Sequence, residues 1–268
     1  MHQPNSVAKK MVQMKVNKID LIEKESFRPF LISDSNSFIG KLFLILRLLI
    51  DTPHRSLITK FKNYSKNIKG NVLDVGAGQG FYKRYLIKDV EYKGLEIENT
   101  KSIFANKNKD LIFYDGNTIP FSDSSYDNIM CFEVLEHTFD YNNLVKEMNR
   151  VLKIDGTLYL SVPFAAKFHF IPWDFFRYTP TSLKMIMENN NFEIVSFQRR
   201  GADFSVVFHY ITVAILGMIF AKKPIKFIFG IILLPLAIFS AILSNISEYF
   251  DLGAPENTLG FFLVCKKL

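Results

Sequence analysis

The sequence predicts an α/β protein built on a mostly parallel β-sheet covered by helices. The first observation is that short apolar runs alternate with amphipathic stretches between residues 71 and 200. The second is a cluster of glycines, NVLDVGAGQG, where the first of these runs ends. The chain has 268 residues, of which 49% are hydrophobic, so it is long enough to bury the core that such a sheet requires.

Seven strands are expected in this sheet. Each is a short apolar run bounded by turn residues, and they cover residues 71–76, 91–97, 110–115, 126–132, 156–163, 192–197 and 258–267. Helices fit between the strands, and one has an apolar face that repeats at intervals of three and four, formed by Leu144, Val145, Met148, Val151 and Leu152. Another helix is expected over residues 181–190, because Pro180 is favourable in a first helical turn.

Positive charge is concentrated at the N-terminal end of the chain. The net charge is +7, and residues 1–70 carry all of the basic surplus. Such a segment can meet RNA phosphates or an anionic membrane surface, or it can be a solvated leader. We do not expect a nucleic-acid partner, because the sheet-forming part is nearly neutral and the C-terminal part is strongly apolar. Cys131 and Cys265 lie in apolar runs without disulfide or zinc spacing, which indicates buried thiols in a reducing compartment.

One short apolar helix is predicted before the sheet begins. The sequence FIGKLFLILRLLI at Phe38–Ile50 is apolar except along a narrow stripe formed by Gly40, Arg47 and Asp51. It is too short to span a bilayer. It suits a helix that lies in the membrane interface, with Lys41 and Arg47 reaching lipid headgroups, and packing on the protein's own sheet is the alternative.

Two longer apolar runs follow the sixth predicted strand. Residues 204–221 and 227–247 carry no formal charge and are separated by the basic sequence KKPIK. Each run approaches the length of a transmembrane helix, but Pro224 and Pro235 border or interrupt them. Two spans would place three lysines on the far side, against the usual bias of basic residues. We therefore expect a helical hairpin that lies in or dips into the inner leaflet, with a hairpin buried inside the protein as the alternative.

The glycine cluster is followed by a series of acidic strand ends. Gly76, Gly78 and Gly80 let the backbone approach a ligand, but their G-x-G-x-G spacing fails the dinucleotide fingerprint, and no P-loop signature follows. The acids at the carboxyl ends of three successive strands are Asp74, Glu96 and Asp115. Singly, each can be a strand-end cap. Together they suit a cofactor that carries free hydroxyls, an amine and a sulfonium but no phosphate.

Four runs, DVGAGQG, GLEIE, DGNTIPFSDSSYDNIMCFEVLEH and LVKEMNRVLKIDGTLYLSVPF, resemble the motifs of the class I S-adenosylmethionine-dependent methyltransferases in order and spacing. The resemblance implies a Rossmann-like sheet of seven strands with an antiparallel last strand, and S-adenosylmethionine bound over the glycine loop. By this resemblance Asp74, Gly76, Gly78 and Gly80 would contact the methionine part of the cofactor, and Glu133 would lie near its methionine end. Glu96 would contact the ribose, and Asp115, Gly116 and Asn117 would contact the adenine. Glu96 departs mildly from the family, which more often has aspartate there, but either carboxylate can accept two ribose hydrogen bonds.

A second block resembles a narrower branch of these enzymes. FHFIPWDFFRYTPTSLKMIMENNNFEIV looks like a segment of methyltransferases associated with cell-surface polysaccharide or glycolipid pathways, which also tend to carry an apolar insertion. Arg177 offers a fork for a carboxylate or phosphate of the acceptor, and Trp173 and Tyr178 offer stacking surfaces for a sugar or isoprenoid. The alternatives are an ion pair between Arg177 and Asp174 that holds the loop, and aromatic side chains that belong to the core.

Two histidines are candidate general bases. Methyl transfer from a sulfonium mainly requires alignment of the acceptor and exclusion of water, and a base helps where the acceptor is a hydroxyl. His137 follows the fourth strand and His169 follows the fifth, and the alternative is that each only shapes the pocket. Glu133 and His137 are four residues apart, a spacing at which two side chains on one helix face can bind the same metal ion. No second pair of candidate ligands is evident elsewhere in the sequence, so we expect no metal.

The sequence therefore predicts four parts: a basic segment with an amphipathic helix at residues 1–69, a cofactor-binding core at 70–200, an apolar insertion at 201–257 and a closing strand at 258–268. The expected function is methylation of a lipid-linked or amphiphilic acceptor, in cell-surface glycan or glycolipid synthesis. A quinone-type ring as acceptor, and a non-catalytic membrane-bound interaction protein, remain alternatives. We expect a cytoplasmic protein at the inner leaflet, because the first twenty residues contain no apolar signal segment.

Overall fold

The computed structural model describes residues 38–268. Residues 1–37, which include much of the predicted basic segment and the region searched for a signal segment, lie outside the described residues. Among the described residues the helices are α1 (Phe38–Ile50), α2 (Thr52–Ser65), α3 (Lys101–Phe104), α4 (Tyr141–Val151), α5 (Pro180–Asn189), α6 (Asp203–Ile219), α7 (Pro224–Ile232) and α8 (Leu234–Phe250). The strands are β1 (Asn71–Val75), β2 (Glu91–Ile97), β3 (Leu111–Tyr114), β4 (Tyr126–Phe132), β5 (Leu152–Pro163), β6 (Phe192–Arg199) and β7 (Gly260–Lys267).

The seven strands form one sheet in the order β3-β2-β1-β4-β5-β7-β6. Neighbours from β3 to β5 are parallel, whereas β7 runs antiparallel to both β5 and β6. The predicted fold class, with its antiparallel last strand and an apolar insertion before that strand, is confirmed. The largest difference in a strand boundary is at β5, which begins at Leu152, a residue that the sequence pattern assigned to the apolar face of the preceding helix. The other strand ends differ from the prediction by at most two residues.

The strand order reverses between β1 and β4, which are neighbours in the sheet although β2 and β3 separate them in sequence. The chain leaving β1 and the chain leaving β4 therefore turn in opposite directions at the same edge. In open α/β sheets a crevice for ligands forms at such a point, outside the carboxyl ends of the strands. The glycine loop and the acidic strand ends predicted from the sequence all lie at this edge.

Apolar side chains cover both faces of the sheet. On one face α4 and α5 bury the predicted apolar stripe, including Leu144, Val145 and Met148, which are at most 4% exposed. On the other face α2 inserts Leu57 and Phe61, both fully buried, against aromatic residues of β4, β5 and β7. Helices thus pack on both faces of the sheet, and this buried packing holds the carboxyl ends of the strands in place.

Helix α1 has the bounds predicted from the sequence, but its polar stripe faces the protein. Gly40 is buried, and Arg47 forms an ion pair with Asp51 over 2.6 Å. The side-chain amide of Asn245 in α8 donates to Leu49 O over 2.7 Å and ties the two helices together. The prediction that Arg47 reaches lipid headgroups was wrong, because its guanidinium is paired with Asp51 at the inner side of the helix.

The apolar insertion contains three helices rather than a simple hairpin. Helices α6 and α8 pack against each other, whereas α7 lies between them in sequence and contacts α6 where Gly230 meets Ile219. The second apolar run bends by 58° at Leu233, because Pro235 cannot continue the hydrogen bonding of α7 and instead sits in the first turn of α8. Among residues 38–268 no single helix is long and apolar enough to cross a membrane, and α7 with α8 reaches that length only as a bent pair.

Candidate active site

The glycine loop after β1 is shaped by a close approach from the loop after β4. Gly76 has φ +70°, and a Cβ built there would stand 2.3 Å from Cγ2 of Val134. No side chain fits this position, and the backbone conformation is one that only glycine adopts readily. The N–H groups of Gly76 and Ala77 both donate to Leu95 O, so the loop is fastened to β2 as it turns.

Glu96, at the end of β2, holds the next part of the loop. Its Oε2 accepts a hydrogen bond from the backbone N–H of Gly78 over 3.1 Å, and its Oε1 accepts one from Ile97 N–H over 3.1 Å. Burial raises the pKa of this carboxyl, and the two backbone donors oppose that effect. The nearest atoms to a Cβ built at Gly78 belong to the Phe104 ring, 3.7 Å away, so the loop backbone there is open to a ligand.

Asp74 lies beneath this loop, in β1. It is buried, and its Oδ2 accepts a hydrogen bond from the hydroxyl of Tyr92 over 2.7 Å. Burial raises its pKa to about 7, and the nearby Glu96 carboxylate adds to that effect, whereas the Tyr92 hydrogen bond opposes it. A cationic group placed beside Asp74 would favour the ionised carboxylate.

Asp115, at the end of β3, organises an exposed turn. Its Oδ1 accepts hydrogen bonds from the backbone N–H groups of Asn117 and Thr118, over 2.8 and 3.2 Å. These bonds, that of Asn117 first, lower the pKa of Asp115. Gly116 has φ +84° within the turn, and Asn143 donates to Asn117 O over 2.7 Å. The three predicted acids thus lie at or just beyond the carboxyl ends of three adjacent strands, and only Asp74 is fully buried.

Glu133 follows β4 and is tied to an arginine that the sequence analysis missed. Its Oε1 accepts hydrogen bonds from Ser161 Oγ and from Arg200 Nη2, each over 2.8 Å. Arg200 is fully buried and also donates to the carbonyl oxygens of Pro53 and Val162. Glu133 therefore keeps the crevice edge next to β5 in place. No periodic pattern marks Arg200, which is 67 positions away in sequence.

The two candidate histidines lie together around a carboxylate that the sequence analysis did not single out. The rings of His137 and His169 are 4.7 Å apart and nearly perpendicular. Their Nε2 atoms lie 3.6 and 3.9 Å from Oε1 of Glu136, which is fully buried. Burial raises the pKa of Glu136 to about 7, with a contribution from Glu133, and His169 opposes it. A glutamate in the otherwise apolar run before His137 was the signal that could have revealed it.

The predicted acceptor residues are mostly engaged within their own segment. Arg177 forms two hydrogen bonds to the Asp174 carboxylate, of 2.6 and 2.9 Å, which is the ion-pair alternative considered above. Tyr178 is buried and donates to Leu135 O over 3.0 Å. The polar groups of Arg177 and Tyr178 are thus already used inside the protein, whereas their role towards an acceptor stays a prediction. Trp173 is 53% exposed and keeps an open face.

Comparison with known proteins identifies the sequence around this site. Residues 73–160 match the model of the methyltransferase domain family. A comparison with curated protein sequences finds no significant match. The domain match covers most of β1 to β5 and includes the three strand-end acids and Glu133, whereas His169, Arg177 and Arg200 lie beyond it.

Solved structures share the fold at low sequence identity. The chain is similar to the candidate methyltransferase bound to the Trm112 methyltransferase activator of Haloferax volcanii, with TM-score 0.54, 16% identity, and 81% of this chain and 91% of that chain covered. It is similar to an S-adenosylmethionine-dependent methyltransferase of Thermotoga maritima, with TM-score 0.53, 17% identity, and 85% and 96% covered. It is also similar to the [4+2]-cyclase SpnF, with TM-score 0.52, 16% identity, and 79% and 81% covered. At such identities these likenesses establish the fold alone.

Proposed function

We propose that the chain, whose residues 73–160 match the methyltransferase domain family, uses S-adenosylmethionine to methylate a lipid-linked or amphiphilic acceptor while it lies on a membrane surface. The observation that carries the proposal is the outward-facing apolar surface of α1, α7 and α8. The acceptor class we favour is a lipid-linked glycan or glycolipid intermediate.

The residues at the carboxyl edge of the sheet fit the cofactor. S-adenosylmethionine supplies a methyl group on a positively charged sulfur. Glu96 would hold the ribose hydroxyls, since each of its oxygens accepts only one backbone hydrogen bond and retains a lone pair. The open backbone at Gly78 would lie against the cofactor, and the buried Asp74 would balance its positive charge.

The remaining task of the protein is to align the acceptor with the methyl–sulfur bond and to exclude water. Exposed aromatic side chains surround His137 at this edge of the sheet. Phe139, Phe170 and Trp173 are 52%, 48% and 53% exposed, and the Phe170 ring contacts His137. An aromatic rim of this kind binds apolar or sugar surfaces better than it binds a small ion.

The apolar surface begins on α1, whose polar and apolar faces are oriented opposite to those of a helix on the surface of a water-soluble protein. Its polar stripe faces inward, whereas Phe38, Ile39, Phe43 and Ile45 are between 64% and 82% exposed. A helix at a protein–water boundary normally turns its apolar face to the core and its polar face to solvent. Burying these side chains in lipid would release about 1.5–3 kcal/mol each.

Helices α7 and α8 continue this surface next to α1. Ile228, Phe229, Ile232 and Phe239 are between 53% and 64% exposed. Three lysines at the start of α7, Lys222, Lys223 and Lys226, are also exposed. Cationic side chains beside an apolar surface suit anionic headgroups above a hydrocarbon layer. A protein held there meets acceptors that never leave the membrane.

Vesicle flotation with the full chain tests membrane binding. We expect the protein to float with vesicles, and more strongly when they contain an anionic lipid. The triple variant Phe43→Gln, Ile228→Gln and Ile232→Gln should bind at least about a thousandfold more weakly, because it removes three inserted side chains that each release about 1.5 kcal/mol or more. The matched control is Ile154→Gln, which removes an equally exposed apolar side chain near the start of β5 and should bind like wild type.

Methyl transfer tests the acceptor class. Incubation of the protein with methyl-labelled S-adenosylmethionine and a total lipid extract should place label in a product that partitions into organic solvent. Recovery of all label in water-soluble products, or flotation of the triple variant equal to that of the control, would overturn the proposal.

A further inference from the structure

We propose that Glu136, His137 and His169 bind one divalent transition-metal ion such as Zn²⁺, with the Nε2 atoms of both histidines and a carboxylate oxygen as ligands. The three ligand atoms lie within 4.8 Å of one another. Two histidines and one carboxylate are a ligand set found in catalytic zinc sites and in non-haem iron sites.

The hydrogen bonds of the two imidazoles fix which nitrogen of each ring can bind a metal. His137 Nδ1 lies 2.8 Å from Trp173 O, and His169 Nδ1 lies 3.0 Å from Lys167 O. A carbonyl oxygen can only accept, so each Nδ1 carries the proton. In the neutral ring Nε2 then presents a lone pair, and both Nε2 atoms face Glu136. A backbone carbonyl behind the imidazole is the usual outer partner of a metal-bound histidine.

The Glu136 carboxylate is the second observation that points to a cation. Its side chain is 0% exposed, and neither oxygen accepts a hydrogen bond from the described residues. A buried carboxylate without hydrogen bonds costs several kcal/mol. Two neutral histidines offer it only lone pairs, so the arrangement is stabilised either by a metal cation among the three groups or by a proton between them, and metal titration distinguishes the two.

The distances favour a metal ion over a direct histidine–carboxylate hydrogen bond. The two Nε2 atoms lie 3.6 and 3.9 Å from Oε1, beyond hydrogen-bond range. A tetrahedral zinc ion with bonds of about 2.1 Å places its ligand atoms about 3.4 Å apart. The imidazoles, which are 19% and 24% exposed, would have to bring their Nε2 atoms a few tenths of an ångström closer to Oε1 to reach that spacing.

The position of this cluster gives the ion a use in catalysis. It begins four residues after β4 ends, at the same sheet edge as the cofactor residues and beside the exposed aromatic rim. Three protein ligands leave a coordination position open for an oxygen atom of the acceptor. This use rests on the proposed function, whereas the binding of the ion does not.

Titration of tag-free full-length protein with Zn²⁺ and Co²⁺ tests the site directly. We expect one ion per chain, a Co²⁺ visible absorption spectrum typical of low coordination number, and a higher melting temperature with Zn²⁺. Loss of a residue that only hydrogen-bonds to a metal ligand weakens metal binding roughly ten- to hundredfold. Glu136→Gln and His169→Gln each remove a ligand, so each should weaken metal binding by more than that. The matched control, His209→Gln, removes a histidine of α6 and should bind like wild type.

Two cluster variants are used because Glu136 is fully buried and His169 is partly exposed. His169→Gln should therefore fold even if Glu136→Gln folds poorly. Circular dichroism of each variant establishes folding. Failure of folded wild-type protein to bind Zn²⁺ or Co²⁺ would overturn the proposal, and so would equal binding by the cluster variants and His209→Gln. Loss of ion binding with intact S-adenosylmethionine binding would support it without reference to the acceptor.

Discussion

The backbone N–H of Gly78 donates to the Glu96 carboxylate over 3.1 Å, and this bond joins the loop after β1 to the end of β2. The family resemblance assigns these two residues to different parts of the cofactor. In the folded protein they form one unit, so the position of the Glu96 carboxylate depends on the conformation of the glycine loop. A change in the loop should therefore alter both contacts together.

Replacing Gly76 by alanine should destabilise the protein more than replacing Gly116. A Cβ at Gly76 would meet Val134 Cγ2 at 2.3 Å in addition to adopting φ +70°, whereas the nearest atom at Gly116 is Ile97 Cγ2 at 3.7 Å. We expect a loss of about 2 kcal/mol or more for Gly76→Ala and about 1 kcal/mol for Gly116→Ala. Urea unfolding measures both, and equal losses would show that the approach of Val134 is not tight.

Arg200→Met should be among the most destabilising single substitutions. It removes the guanidinium that pairs with the Glu133 carboxylate and donates to the carbonyl oxygens of Pro53 and Val162, at a cost of about 3–5 kcal/mol. Among the described residues, Glu133 then keeps only the Ser161 hydroxyl as a donor. Arg199→Met is the matched control, since Arg199 pairs with Asp251 at the surface and should contribute less than about 1 kcal/mol.

The same unfolding experiment can test whether the charge of Glu133 causes the loss. Adding Glu133→Gln to Arg200→Met should recover part of the stability, because the unpaired charge is removed. If Arg200→Met and Arg199→Met cost the same, the buried arginine is not what holds the Glu133 carboxylate.

The pH dependence of stability should carry the signature of Asp74. Its pKa is about 7 in the folded protein and 3.8 in an unperturbed chain. Between these values the folded state retains a proton that the unfolded state has released, so the free energy of unfolding should fall as the pH rises. The Asp74→Asn variant should show a smaller fall, because Glu136, whose pKa burial also raises to about 7, still contributes. Urea unfolding of both proteins from pH 4.5 to 7.5 makes the comparison, and parallel curves would contradict the assignment.

Much of the fold was predictable from local sequence patterns. The strands follow from apolar runs, and the resemblance to the class I methyltransferases implied the reversed β7. The bend at Leu233 was harder to predict, although Pro235 marked it, because length and hydropathy alone describe one continuous run. The inward-facing stripe of α1 depends on Asn245 and α8, nearly two hundred positions away, so helical periodicity could not orient it.

The glycine loop and the strand-end acids that we propose for the cofactor could be located from the sequence, because strand ends and glycine loops are local features. The residues that act through tertiary contacts could not. Arg200 becomes significant only when β6 brings it to Glu133, and Glu136 only when the loop after β5 brings His169 beside it. Arg177 and Tyr178 have side chains suited to an acceptor, but folding engages both within the protein.

The central claim is that the carboxyl edge of β1 and β2 binds S-adenosylmethionine. Calorimetric titration with S-adenosylmethionine and with its demethylated product, on wild type, Glu96→Ala and Glu98→Ala, tests it most directly. Glu98 is the matched control, because it follows Glu96 by two residues, is exposed and forms an ion pair with Lys101. We predict saturable binding by wild type and Glu98→Ala, and binding at least about tenfold weaker by Glu96→Ala. Absence of binding by folded wild-type protein, or equal affinity in all three, would contradict the account.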